Sequence, residues 1–260
     1  MQKEESKFAS SHVFEGMTSI RALIKSIDSG VSDRKLEKII FDKSKLKKIS
    51  KEIGYFKAVS EKYGFIIEES DSDSIEKLTI GSSHGGIIAI ASERHFPALT
   101  ALLPPTEGFY VLIEGIEDPY NFGYSMRSLY AMGCDGIILD ERNWMSAAGV
   151  VARSSAGASE LFEIYRSDAN EAVDFFKNHG YTVVCADENT DNILGHADLR
   201  CPILLIVGGE KRGISANVLK KADILVKIDY AREFRASLSA ASAVTMFAYE
   251  INRINKKIEE

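Results

Sequence analysis

The sequence predicts an α/β protein of two domains: a small α/β domain over residues 1–98 and a larger one over 108–260 built on a parallel sheet, with 99–107 as linker. Three observations lead there. From residue 109 onward, short apolar runs alternate with amphipathic stretches, the order expected of strands and crossover helices. Those runs are near-continuous in Val, Ile and Leu, as in strands buried on both faces. Between the halves, His95 to Gly108 (HFPALTALLPPTEG) breaks the rhythm, because the Pro104-Pro105 pair cannot continue a helix or strand interior.

In the N-terminal half, residues 16–27 place Met17, Ile20, Leu23, Ile24 and Ile27 at three- and four-residue spacings, which predicts an amphipathic helix. A short strand follows at 38–41, a helix at 44–63, and strands at 65–67 and 86–91, the last (GIIAIA) buried. In the C-terminal half, FYVLIE at 109–114 is a strand, 121–132 a helix, 136–139 a strand, 143–153 a helix and 162–165 a strand. A helix at 169–178, strands at 182–185 and 203–207, a short helix at 215–221, a strand at 224–228 and a long closing helix at 236–254 complete the pattern. Ligands of such sheets sit beyond the carboxyl ends of the strands, so the loops that follow strands are where chemistry is sought.

Composition narrows the function. At 45% hydrophobic and 27% charged residues, the 260-residue chain is ordinary for a globular protein. Its apolar runs are far too short to cross a bilayer, and Met1-Gln2-Lys3-Glu4-Glu5 lacks the apolar core of a signal peptide, so no membrane association is expected. Cys134, Cys185 and Cys201 are scattered, which favours a reducing cytoplasm over a disulfide framework or zinc site. The five histidines show no paired ligand spacing, and no metal is assigned. The net charge of −6 is unusual for a nucleic-acid binder, but it is uneven. Residues 1–98 hold 16 Lys+Arg against 15 Asp+Glu, and residues 99–260 hold 16 against 23. The densest basic cluster, Lys43, Lys45, Lys47, Lys48 and Lys51, lies in the N-terminal half; alone, such a run is a solvated helix face.

Three loops after strands stand out. The first reads Asp118-Pro119-Tyr120-Asn121-Phe122-Gly123-Tyr124-Ser125-Met126-Arg127. Asn121 sits at a capping position, and Arg127, about 120° apart from it on an ideal helix, offers a permanently charged fork suited to phosphate. The second, Gly208-Gly209-Glu210-Lys211-Arg212-Gly213, has glycines that let main-chain amides approach a ligand, but neither dinucleotide-binding nor P-loop spacing. The third runs from Asp229 through Ser237-Leu238-Ser239-Ala240-Ala241 into a helix of small residues, a pattern that also suits plain tight packing.

Together and in this order, the loops resemble the motifs of the SpoU (TrmH-type) RNA 2′-O-ribose methyltransferases. Asp118 to Arg127, followed by Ala131-Met132-Gly133-Cys134-Asp135-Gly136, is similar to the family's first motif. Gly208 to Gly213 resembles its G-x-E-x-x-G, and Ser237-Leu238-Ser239-Ala240-Ala241 its S-L-N-x-S, with Ser239 where the family has asparagine and Ala241 where it has serine. Ser154-Ser155-Ala156-Gly157-Ala158 is similar to its S-x-G-A segment. In the N-terminal half, residues 12–27 and the His84-Gly85-Gly86-Ile87-Ile88-Ala89 strand resemble the L7Ae-type substrate domain of rRNA methyltransferases.

The resemblance implies a trefoil knot in the C-terminal domain, a homodimer, and S-adenosylmethionine as cofactor. Val207, Gly208, Gly209, Glu210, Gly213, Ile228, Ser237 and Leu238 would hold that cofactor. Arg127, Asn121, Ser237 and Glu210 would serve catalysis, and Lys43, Lys45, Lys47, Lys48 and Arg153 would meet RNA, ribosomal RNA by analogy. A reading from another class is an RNA- or ribosome-binding protein that keeps the fold and has lost the chemistry. Serine hydrolase chemistry lacks its G-x-S-x-G elbow.

Overall fold

The computed structural model describes residues 12–80, 84–140, 147–209 and 211–256, in two compact units. One comprises Met1–His95 with Asn143–Leu161; the other comprises Phe96–Arg142 with Phe162–Glu260.

The N-terminal unit is built on a four-stranded sheet, β1 (Val13–Glu15), β2 (Leu36–Asp42), β3 (Ile66–Ser70) and β4 (Ile87–Ala91), in the order β1-β4-β2-β3. β4 runs antiparallel to β1 and β2, while β2 and β3 are parallel. Alternation along the strands supplies both faces. Ile39 and Phe41 of β2 and Ile87 and Ala89 of β4 pack with Ile20 and Leu23 of α1 (Gly16–Asp28) and with Ile53 and Phe56 of α2 (Ser50–Tyr63). Ile40 and Ile88 turn the other way, against Ile75 of α3 (Ser72–Leu78). β1 and α3 were not foreseen, being too short to carry a period. The helix expected over 44–63 begins only at Ser50. Lys43–Lys45 is instead a 3-10 turn, because Asp42 caps it by accepting from Ser44 N at 2.9 Å.

Asp42 is buried, and also accepts from the hydroxyls of Ser72 and Ser44. Those two hydroxyls, then the Ser44 amide and the Lys45 ammonium, hold its carboxyl down at about 2 from the usual 3.8. A carboxyl with a lowered folded value contributes stability that is present above its unfolded value and lost as pH falls through the folded one. Thermal melts followed by circular dichroism are therefore expected to show stability falling between about pH 4 and pH 2, and Asp42→Asn should flatten that part of the profile.

Helices α5 (Ala148–Ser154) and α6 (Ala158–Leu161) also belong to the N-terminal unit, although they lie within the stretch expected to be purely C-terminal. The turn between them closes α5 with Gly157 N on Ala152 O and Ala156 N on Arg153 O. Ala156 takes the left-handed conformation (φ 52°) that such a C-terminal motif requires. Gly157 (φ 84°) then lies so close to α1 that a Cβ would collide with Ala22 and crowd Thr18 O. Arg34 and Glu160, both with side chains 4% exposed, form an ion pair at 2.9 Å. Arg94 Nη1 donates to Ser159 O at 3.1 Å, and Arg153 Nη1 meets Glu15 Oε2 at 2.8 Å. These contacts are what assign the segment to this unit.

The second unit is a six-stranded, wholly parallel sheet in the order β10-β8-β9-β5-β6-β7. Its strands are β5 (Phe109–Glu114), β6 (Gly136–Leu139), β7 (Glu163–Arg166), β8 (Thr182–Ala186), β9 (Ile203–Gly208) and β10 (Ile224–Val226). All six were expected, with ends shifted by at most two residues. Leu112, Leu204, Ile206, Val183 and Cys185 share a core with Ala172, Val173 and Phe176 of α7 (Ala169–Asn178) and Val218 of α8 (Ala216–Lys221). α4 (Pro119–Ala131) and α9 (Ala240–Asn255) pack on each other, and α9 also contacts β9.

The expected linker, 99–107, is instead part of this unit. Leu99 and Leu102 are buried in its core, Ala98 bridges to Arg166, and the Tyr181 hydroxyl donates to Pro105 O. The prolines end a packed segment, and the break between units falls after His95. Among the described residues, no helix is long and apolar enough to cross a membrane.

Candidate active site

β5 and β9 are neighbours in the middle of the parallel sheet, and the loops that follow them leave its carboxyl edge together. Gly209 N donates to Glu114 O at 2.6 Å, and Ser215 N to Glu114 Oε2 at 3.0 Å. Lys211 pairs with Glu117. A Cβ at Gly209 would collide with the main chain of Gly115 and Ile116, and one at Gly208 with that of Gly213 and Ile214. These two glycines thus let segments of the protein's own backbone touch. Gly213 is different: it is exposed, takes φ 61°, and has open space where a side chain would stand. Val207 lies inside β9 and is buried. Glu210 lies outside the described residues.

The first loop enters α4 through an Asp-Pro start. Asp118 accepts from Tyr120 N and Asn121 N, both at 3.2 Å, and Pro119 occupies the first turn, where a missing N–H costs nothing. The cap is therefore Asp118, and Asn121 stands half-buried in the helix's first turn. Asp118 was legible as a cap from the Asp-Pro pair itself. Arg127 is exposed, and among the described residues no ion pair or hydrogen bond holds its guanidinium. α9 fixes the helix that carries it: Thr245 Oγ1 donates to Ser128 Oγ at 2.7 Å, and Asn252 Nδ2 to Met132 O at 3.1 Å.

The third loop returns the chain from the edge strand β10 to α9. Ile228 and Leu238 are half-buried, Ser237 is exposed, and Leu238 N donates to the Tyr230 hydroxyl at 3.2 Å. Ser239 caps α9, accepting from Ser242 N at 3.2 Å. Serine is among the best residues for that role, which gives this position a structural use in place of the family's asparagine.

The structure thus brings the first two loops into direct contact and sets Arg127 on a helix anchored by α9, which the third loop feeds. Gly213 offers an open main chain, and Ile228 and Leu238 half-buried apolar side chains, chemistry compatible with the adenosine of S-adenosylmethionine.

The candidate RNA contacts all lie in the N-terminal unit. Lys43, Lys47 and Lys48 are exposed. Lys45 is half-buried with its ammonium 3.9 Å from Asp42, and Arg153 is engaged by Glu15.

Residues 108–249 match the family model described as the SpoU rRNA Methylase family. The chain is 26% identical over 240 residues to the Bacillus subtilis (strain 168) protein YacO, assigned to the TrmH family of tRNA/rRNA methyltransferases; the match covers 90% of this chain and 94% of that one. It is 30% identical over 196 residues to an uncharacterized tRNA/rRNA methyltransferase of Synechocystis sp., covering 73% of this chain and 51% of the other. Its fold is similar to a crystal structure of an RNA 2′-O ribose methyltransferase, with TM-score 0.78, 22% identity, and 93% and 88% of the two chains covered. An AdoMet-bound rRNA methyltransferase from Sinorhizobium meliloti gives TM-score 0.75 at 21% identity, covering 93% and 87%. With more than half of its length matched by the family model, and with the motif loops assembled at one edge of the sheet, the chain belongs to the SpoU rRNA methylase family of S-adenosylmethionine-dependent RNA methyltransferases.

Proposed function

We propose that this protein methylates a ribose 2′-hydroxyl of ribosomal RNA, with Arg127 as the residue that meets the reacting ribose. The observation that carries the reading is an exposed arginine, unpaired among the described residues, on α4, the helix that follows the first motif loop and is hydrogen-bonded to α9. When bound, S-adenosylmethionine supplies an electrophilic methyl group; Gly213, Ile228 and Leu238, with the main chain of 207–209, would hold it. Arginine stays protonated at any working pH and is not the base. Its fork instead binds the phosphate beside the acceptor ribose and stabilises negative charge growing on the 2′-oxygen, while the hydroxyl proton passes to solvent water as the O–CH3 bond forms. Asn121 positions the ribose, and by the family motifs Ser237 and Glu210 are the remaining catalytic candidates.

The N-terminal unit is the RNA-binding domain in this reading, of the L7Ae kind. The C-terminal unit carries the trefoil knot, which fits a chain that leaves the edge strand β10 and returns to pack α9 on α4. It works as a homodimer: Tyr120 and Tyr124 of α4, Met246 and Tyr249 of α9, and Phe234 are large exposed apolar groups suited to a second copy.

Calorimetric titration with S-adenosylmethionine, followed by nucleoside analysis of ribosomal RNA incubated with enzyme and cofactor, tests the proposal. Saturable binding and the appearance of 2′-O-methylated nucleosides are expected. RNA binding without cofactor binding would instead favour a family member that keeps the fold and not the reaction, with Ser239 the first position to restore to asparagine.

A further inference from the structure

The basic cluster of the N-terminal unit does not end with its lysines. Residues 43–60 hold six lysines (Lys43, Lys45, Lys47, Lys48, Lys51 and Lys57) against one acid, Glu52. The turn at 43–49 runs directly into α2, whose Ile53 and Phe56 are buried and fix which way the helix faces. Its outer face then carries Lys51 and, one turn on, Tyr55, which is 44% exposed. Leu46, in the turn before the helix, is exposed as well. Among the described residues, no ion pair engages Lys47, Lys48 or Lys51, whereas Lys45 and Lys62 are drawn to Asp42 and Asp28.

We propose that this face of α2 and its preceding turn is a platform for single-stranded RNA, on which Tyr55 stacks an unpaired base while Lys47, Lys48 and Lys51 take the flanking phosphates. The proposal rests on the reading of the substrate as RNA and adds which form of RNA is held, and by what. An exposed aromatic ring amid unpaired lysines is the combination that single strands recognise, since every base offers a face for stacking and every linkage a charge. Paired bases keep their faces stacked within the duplex, so duplex RNA would use the lysines and leave Tyr55 idle.

The test is fluorescence anisotropy of the full chain with a labelled 12-nucleotide oligouridine and with a blunt RNA duplex of equal length, across a salt series. Tyr55→Ala is expected to weaken oligouridine binding about tenfold without changing the salt slope, and Tyr55→Phe to restore it. Lys48→Ala is expected to weaken both RNAs and to reduce the slope for oligouridine by about 0.7. Equal oligouridine affinity in wild type and Tyr55→Ala, a preference for the duplex, or no RNA binding at all would overturn the proposal. Calorimetry with S-adenosylmethionine on the same preparations separates this surface from the catalytic reading. Intact cofactor binding with an idle Tyr55 defeats only the platform, and a tenfold Tyr55 effect without cofactor binding defeats only the methyltransferase reading.

Discussion

Arg127→Ala is expected to lower methyl transfer to ribosomal RNA by about two orders of magnitude or more, while leaving the affinity for S-adenosylmethionine nearly unchanged. The separation follows from where the side chain sits. Arg127 is exposed on α4, so its removal opens no cavity and breaks no ion pair among the described residues. α4 keeps its Asp118 cap, its first-turn proline and its contacts with α9, and the loops around Gly213 and Leu238, proposed to hold the cofactor, are untouched. On the proposed reading, what is lost is a fixed charge and a planar set of donors at the acceptor. Arg127→Lys should therefore recover only part of the rate, because lysine restores the charge without the fork. Transfer of tritiated methyl groups, read beside calorimetric cofactor titration, checks both statements. Wild-type turnover in the alanine variant would remove Arg127 from the reaction.

The sheet strands of the second unit were legible because each is a near-continuous apolar run between turn signals, and burial on both faces leaves such runs no other use. The motif loops were legible as positions, but less so as roles. Glycine spacing announces that something comes close; it does not say whether that is a ligand or, as at Gly208 and Gly209, another stretch of main chain. Asn121 and Asp118 are both good caps by type, and only the following Pro119 tells which one the helix uses. The basic stretch after Asp42 suits a single helix by sequence because its lysines tolerate any exposed conformation. The buried carboxylate that pins the turn declares itself only through Ser72, thirty residues away. Least legible was the allegiance of residues 147–161. Their small residues are equally good against a cofactor or against a helix, and pairing Arg34 with Glu160 across the chain needs the fold.

That pairing gives the largest expected effect on stability. Arg34 and Glu160 are both almost wholly withdrawn from water, with Nε and Oε2 2.9 Å apart. The guanidinium also donates to Ser92 O at 2.7 Å and lies 5.0 Å from the centre of the Phe14 ring. Glu160→Ala would leave a permanently charged group in that site facing one carbonyl and an aromatic face, and arginine cannot escape by losing its proton. A loss of about 3–5 kcal/mol is expected, because removing one partner strands the other charge in a medium that solvates it poorly. The double replacement Arg34→Met with Glu160→Leu should recover most of it, since neither desolvated charge then remains and the volume is nearly kept. Urea unfolding followed by circular dichroism measures both. If Glu160→Ala cost less than about 1 kcal/mol, the pair would behave as a surface bridge, and Gly157 with Arg94 would have to account for the seat of α5 and α6.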